Sequence, residues 1–210
     1  MLRDWLVTAA SGLLALAPLG AAPEVRGPII LLIGPPGSGK STQAAFLHKT
    51  YGIPTVSAEE LIRANPSVFA RAIQPAIQGV EPRTDPAMNK LLRQKLEETD
   101  VSKGFVLDGY PAAKGHADYL GGLLKEWNLP KPVVLQLALS DEAVRKRASR
   151  RKDTSVSPQS VDQLLKDYHR EMDMIRVYFP EADIVTVDAA KKTGSVSKQI
   201  KKAIDERLKK

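Results

Sequence analysis

The run Gly34-Pro35-Pro36-Gly37-Ser38-Gly39-Lys40-Ser41-Thr42 constrains this chain more than any other stretch. It fits Gly-x-x-x-x-Gly-Lys-Ser/Thr at every fixed position. Ahead of it, Ile29-Ile30-Leu31-Leu32-Ile33 is a short apolar, β-branched run that reads as a buried strand. Behind it, the residues around Ala44, Ala45 and Leu47 read as a helix. The chain must therefore hold a strand, a glycine turn and a helix in immediate succession. Pro35 and Pro36 have no N–H to donate. The donors are left to the amides of Gly37, Ser38, Gly39, Lys40 and Ser41, which glycine lets curl inward as an anion nest. The helix that starts there adds its positive end. In such a motif Lys40 reaches the β- and γ-phosphates of a nucleotide and the Ser41 hydroxyl holds Mg²⁺.

From Gly27 onward strands and helices alternate, with no internal repeat. Strands are expected at Ile29–Ile33, Pro54–Ser57, Phe105–Leu107, Val133–Leu139 and Ile184–Val187. Helix-period segments separate them, which predicts an α/β fold: a parallel sheet with helices on both faces. Sites in such sheets lie beyond the carboxyl ends of the strands. The glycine loop follows the first strand and Asp108 follows the third, so both should face one crevice. There Asp108 either orients Mg²⁺ and its water, as an acid beside such a loop does, or serves as a turn residue ahead of Gly109.

Asp141 to Lys152 reads as a helix carrying Arg145, Arg147, Arg150 and Arg151. Arg147 and Arg151 are four apart and share a face, suited to phosphate charge or to stacking on a base; a solvent-facing basic helix is the plainer alternative. A polar break at Asp153–Pro158 precedes a helix from about Gln159 to Tyr178, with Val161, Leu164, Leu165, Tyr168 and Met172 at helical spacing. His48 and His169 are expected at the surface, since no second metal-type residue accompanies either.

With 210 residues, 43% hydrophobic and 26% charged, the chain can form one folded domain with a core. It has no cysteine, which excludes disulfides and thiolate metal sites. Much of the net charge of +7 collects at the C-terminus, from Lys191 to Lys210. Ile200, Ile204 and Leu208, spaced by four, make this the solvated side of a terminal helix. No aromatic residues interleave with the basic ones, so no nucleic-acid partner is expected. Residues 1–26 form a distinct leader. Arg3, the apolar stretch around Leu13–Ala17 and Gly20-Ala21-Ala22 resemble a secretory signal; a membrane anchor and a disordered leader are the alternatives. Membrane contact is expected only through that leader. ATP chemistry favours the cytoplasm.

Four segments, in order, resemble the adenylate kinase family of nucleoside monophosphate kinases: Gly34–Ala44 (GPPGSGKSTQA), Ile53–Arg63 (IPTVSAEELIR), Gly104–Pro111 (GFVLDGYP) and Asp141–Arg151 (DEAVRKRASRR). The similarity runs from about residue 28 to the C-terminus. It implies a P-loop kinase core with a five-stranded parallel sheet, a small insert for the monophosphate at about 57–82 and a very short lid at about 152–158. It also implies transfer of the γ-phosphoryl group of Mg·ATP to a nucleoside monophosphate, by a chain expected to be a monomer whose partners are small nucleotides. By position, Gly37, Ser38, Gly39, Lys40, Ser41 and Thr42 would seat ATP, and Ser41 and Asp108 would serve Mg²⁺. Arg147 would lie against the base and Arg151 would stabilise the transferring group. Ser57, Ala58, Arg63 and His116 would form the acceptor side.

The departures all fall on that acceptor side and the lid. Ala58 and Glu59 stand where the family has Thr and Gly, Ala112 replaces an arginine for the acceptor phosphate, and His116 replaces a glutamine that reads adenine. Later lid arginines correspond to Asp153 and Leu164. Each lost charge-assisted contact is worth about 1.5–3 kcal/mol, roughly one to two decades of affinity. Two readings follow: an active kinase, with AMP or another monophosphate as acceptor, and a degenerate kinase that binds ATP for regulation. A shortened lid also predicts ATP hydrolysis without acceptor.

Overall fold

A computed structural model of the chain describes residues 22–68, 86–150, 158–180 and 183–208. The leader up to residue 21, most of the acceptor insert (69–82) and the lid residues 152–157 lie outside the described residues. The element order is β1 (Ile29–Ile33), α1 (Lys40–Tyr51), β2 (Thr55–Ser57), α2 (Ala58–Ala64), α3 (Pro86–Glu98), β3 (Phe105–Asp108), α4 (Lys114–Glu126), β4 (Val133–Ala138), α5 (Asp141–Arg150), α6 (Pro158–Tyr178), β5 (Ile184–Asp188) and α7 (Thr193–Leu208). The five strands form one sheet in the order β2-β3-β1-β4-β5, and every pairing is parallel. All five expected strands are present, with bounds moved by a residue at most at either end.

β1 is central and is buried along its whole length, as a strand covered on both faces must be. Side chains alternate across the sheet, so β1 feeds two cores. Ile29, Leu31 and Ile33 pack with Leu92 and Leu96 of α3, Leu120 and Leu123 of α4, and Met172 and Ile175 of α6. Ile30 and Leu32 pack on the opposite face with Ala44 and Leu47 of α1 and with Val196, Ile200 and Ile204 of α7. Each such fully buried aliphatic side chain contributes about 1.5–3 kcal/mol. On α7, Lys198, Lys201 and Lys202 are exposed while Ile200 and Ile204 are buried, the amphipathic pattern read from the spacing. Lys201 is paired with Asp205 at 2.6 Å. Among the described residues, no helix is long and apolar enough to cross a membrane.

Because the sheet is all parallel, every strand ends at the same edge. The glycine loop leaves β1 there, α2 leaves β2, Asp108 closes β3 and Ala189 follows β5.

Candidate active site

The loop after β1 turns on glycines in the left-handed region, Gly37 at φ 73° and Gly39 at φ 97°. A side chain at either would be strained. Gly39 is the N-cap of α1 and supplies no side-chain cap, and the first turn of α1 contains no acid. The first amides of α1 are therefore not answered by a capping side chain, and no carboxylate offsets the helix's positive end. One expected donor is already used: the Ser38 amide donates to the Pro35 carbonyl at 3.1 Å. The Ser38 hydroxyl is buried with no hydrogen-bond partner among the described residues. Lys40 Nζ donates to the Gly34 carbonyl at 2.8 Å, so its ammonium is curled back over the loop.

A cavity of about 440 Å³ opens at this point, lined by residues that include Gly37, Gly39, Lys40, Ser41, Thr42, Ser57, Glu59, Asp108 and Leu164. The tertiary structure thus brings the loop, the end of β2 and the end of β3 into one crevice. Size does not single this cavity out. A larger one, about 730 Å³, lies between β4, β5 and α6 and contains Asp141, His169 and Arg176, but the glycine loop does not line it.

The Asp108 carboxyl is pushed above its ordinary range, chiefly by burial; the Lys40 ammonium opposes this, and Glu59 and Glu60 add to it. Seven residues beyond Leu164 on α6, and so on the same helical face, Glu171 is close enough to feel both Lys40 and Asp108. Burial pushes its carboxyl up to about 7, with Lys40 pulling down and Asp108 pushing up. No motif marks Glu171 in the sequence; helical spacing from Leu164 was the only available signal.

Arg147 lies on α5 and reaches back to the loop. Its guanidinium donates to the Gly37 carbonyl at 2.8 Å and to the Ala189 carbonyl at 2.7 Å, joining the loop to the turn after β5. Arg151, the other member of the expected pair, lies outside the described residues. Ser57 is the N-cap of α2, its hydroxyl accepting from the Glu60 amide at 3.4 Å. Arg63 is exposed and is held by Glu59 at 2.7 Å. Ala58 begins α2, beside Gly109, where a Cβ would lie 3.6 Å from that of Ala58. His116 is buried on α4; its Nδ1 accepts the Ala112 amide at 3.3 Å and its ring stacks on Tyr110 at 4.8 Å. It does not line the cavity at the glycine loop. His48 and His169 are both exposed, as expected; His169 faces the Asp141 carboxylate at 3.0 Å.

The donor set suits Mg²⁺. Among the described residues no group of three or more His, Asp or Glu side chains could cage a metal ion. One hydroxyl and one carboxylate beside a phosphate nest is the set Mg²⁺ uses when substrate phosphates and water complete its shell.

A parallel α/β sheet with a glycine loop, an uncapped helix start, a lysine and an acid in one crevice defines a P-loop nucleotide-binding protein. The adenylate kinase family model matches residues 32–184. An adenylate kinase of Pseudarthrobacter chlorophenolicus is 33% identical over 189 residues, 83% of this chain and 95% of that one. One of Clavibacter michiganensis subsp. michiganensis is 30% identical over 183 residues, 83% of this chain and 92% of that one. An adenylate kinase of Anaeromyxobacter sp. is 37% identical over 127 residues, and the match spans 59% of each protein. The chain belongs to the adenylate kinase family and, with it, to the ATP-dependent phosphotransferases.

Proposed function

We propose that the chain transfers the γ-phosphoryl group of ATP to AMP or a related nucleoside monophosphate, giving ADP and a nucleoside diphosphate. The bond between the γ-phosphorus and the β-bridging oxygen breaks, and one forms to an oxygen of the acceptor phosphate. The observation that carries this reading is the uncapped, acid-free start of α1 opening onto Lys40 and Asp108 in one cavity. Protein does little covalent work in phosphoryl transfer; positioning and positive charge supply most of the acceleration. The amides of Gly37, Gly39, Lys40 and Ser41, with Thr42 beside them, seat the triphosphate, while the Ser38 amide, held by the Pro35 carbonyl, shapes the loop. Lys40 releases the Gly34 carbonyl and bridges the β- and γ-phosphates. Arg147 borders the base, and its two carbonyl contacts hold the loop in shape. Arg151 stabilises the transferring group. Arg63 holds the acceptor phosphate, with Ser57, Ala58 and His116 on the same side. Ser41 and Asp108 would hold Mg²⁺, partly through water, where it supplies charge neutralisation of the phosphates.

The segment of about 57–82 is the acceptor insert and residues of about 152–158 are the lid. A lid this short excludes water poorly, so slow ATP hydrolysis without acceptor is expected. A monomer working in the cytoplasm, where ATP is plentiful, completes the reading. A second reading, an ATP-binding regulatory module, draws on Leu164 in the cavity and Ala112 after Pro111, where cations would be expected. A coupled assay with Mg·ATP against AMP, CMP, UMP, GMP and dAMP separates the two. Turnover with one of them supports the kinase; no turnover with any, beside micromolar ATP binding, leaves the module.

A further inference from the structure

α1 and α2 both begin beside the cavity at the glycine loop, and they begin in opposite ways. α1 has neither a side-chain cap nor an acid in its first turn. α2 is capped by Ser57 and carries Glu59 and Glu60 in its first turn. Glu59 lines the cavity, while Glu60 lines a different one between α2 and α3. Among the described residues lining the cavity, Lys40 is the one cation and Glu59 and Asp108 are the acids. The Glu59 carboxylate also holds the Arg63 guanidinium at 2.7 Å.

A nucleoside monophosphate carries close to two negative charges at neutral pH. To reach Arg63 it must displace a carboxylate and then bind with that carboxylate still in the same cavity. The Glu59–Arg63 pair is exposed and weak by itself. Glu59 is itself exposed, so water screens its repulsion of a dianion, and that modest repulsion adds to the cost of displacing the pair. We propose that Glu59 weakens acceptor binding: its carboxylate, at the cavity and paired with Arg63, competes with the acceptor phosphate for that guanidinium and holds monophosphate affinity down. This inference rests on the monophosphate-acceptor reading given above.

The test is calorimetric and needs no turnover. AMP, CMP, UMP and GMP are titrated into the full chain with saturating Mg²⁺ and a non-hydrolysable ATP analogue, for wild type, Glu59→Gln and Glu60→Gln. Both substitutions remove one negative charge from neighbouring positions of one helix, and both charges are felt at Asp108, but only Glu59 lines the cavity and holds Arg63. Glu59→Gln is expected to bind the preferred monophosphate about fivefold tighter than wild type, and Glu60→Gln within about twofold. Arg63→Ala is expected to cost about twofold in the wild-type background and about tenfold in Glu59→Gln, where Arg63 is free. Equal affinities for Glu59→Gln and Glu60→Gln, or an equal cost of Arg63→Ala in both backgrounds, overturn the inference and leave the acceptor reading standing. No monophosphate binding by any variant, while the ATP analogue binds normally, overturns both.

Discussion

The two helix starts that flank the cavity make the most instructive comparison in the molecule. At α1 the chain leaves backbone donors exposed to an incoming anion, and a left-handed glycine takes the place of a capping side chain. At α2 the donors are answered from within, by the Ser57 hydroxyl, and two acids offset the helix's positive end. One end is built to receive negative charge and the other is already supplied with it. Two helix starts at the same edge of one parallel sheet thus differ in how their backbone donors and positive ends are answered. A handful of side chains decides it.

The sharpest way to break this comparison is at Lys40. Lys40→Ala should reduce phosphoryl transfer by about 10²–10³-fold while the melting temperature barely moves, because Lys40 contributes only a partly buried bond to the Gly34 carbonyl. Unchanged turnover would mean that the α1 side is not the donor side. Next comes Arg147→Ala, which removes the ties to the Gly37 and Ala189 carbonyls. ATP-analogue affinity should fall about tenfold and monophosphate affinity much less; equal losses would erase the distinction between the sides.

Glu171, which interacts with Lys40 and Asp108, adds a pH-dependent test. Its carboxyl is raised by burial to about 7 from an ordinary 4.5, so ionising it opposes folding. The nucleotide-free protein should lose stability as pH rises from about 4.5 to 7 and level off above that. Glu171→Gln should abolish this decline, stabilising the protein by on the order of 2 kcal/mol at pH 8 and by nothing at pH 4.5. Thermal melts at the two pH values check it, and a gain that is equal at both would remove Glu171 from the charge cluster. The smallest effect is expected at Ser57→Ala. It uncaps α2 for about 0.5–1 kcal/mol of stability, read from denaturant midpoints, with ATP-analogue affinity unchanged.

The local signals were strong wherever a few consecutive residues carry the physics. β1 was legible to the residue, because a fully buried strand must be apolar throughout. β2 to β5 followed within a residue at each end, and α5 and α6 were recognisable from their spacing. The glycine loop, Lys40 and Asp108 were legible because their chemistry fixes residue type and order. Glu59 showed only as a replaced glycine, with nothing to say that its carboxylate lines the cavity or holds Arg63. His116 is packed on Tyr110 and accepts the Ala112 amide, contacts that no sequence pattern foretells. The ties of Arg147 span 110 and 42 residues of sequence, beyond the reach of any local pattern.

The sequence by itself therefore determined the parallel α/β architecture, the place of the glycine loop at the end of β1, and the lysine and acid that share its crevice. Backbone preference, hydrophobic period and motif spacing act over a few residues and can be read there. Only the tertiary structure decided which charges share the cavity, Glu59 and Asp108 with Lys40, and that Glu171 is felt by Lys40 and Asp108. Electrostatic energy depends on distance through space and on burial, and neither quantity exists until the strands have been set side by side.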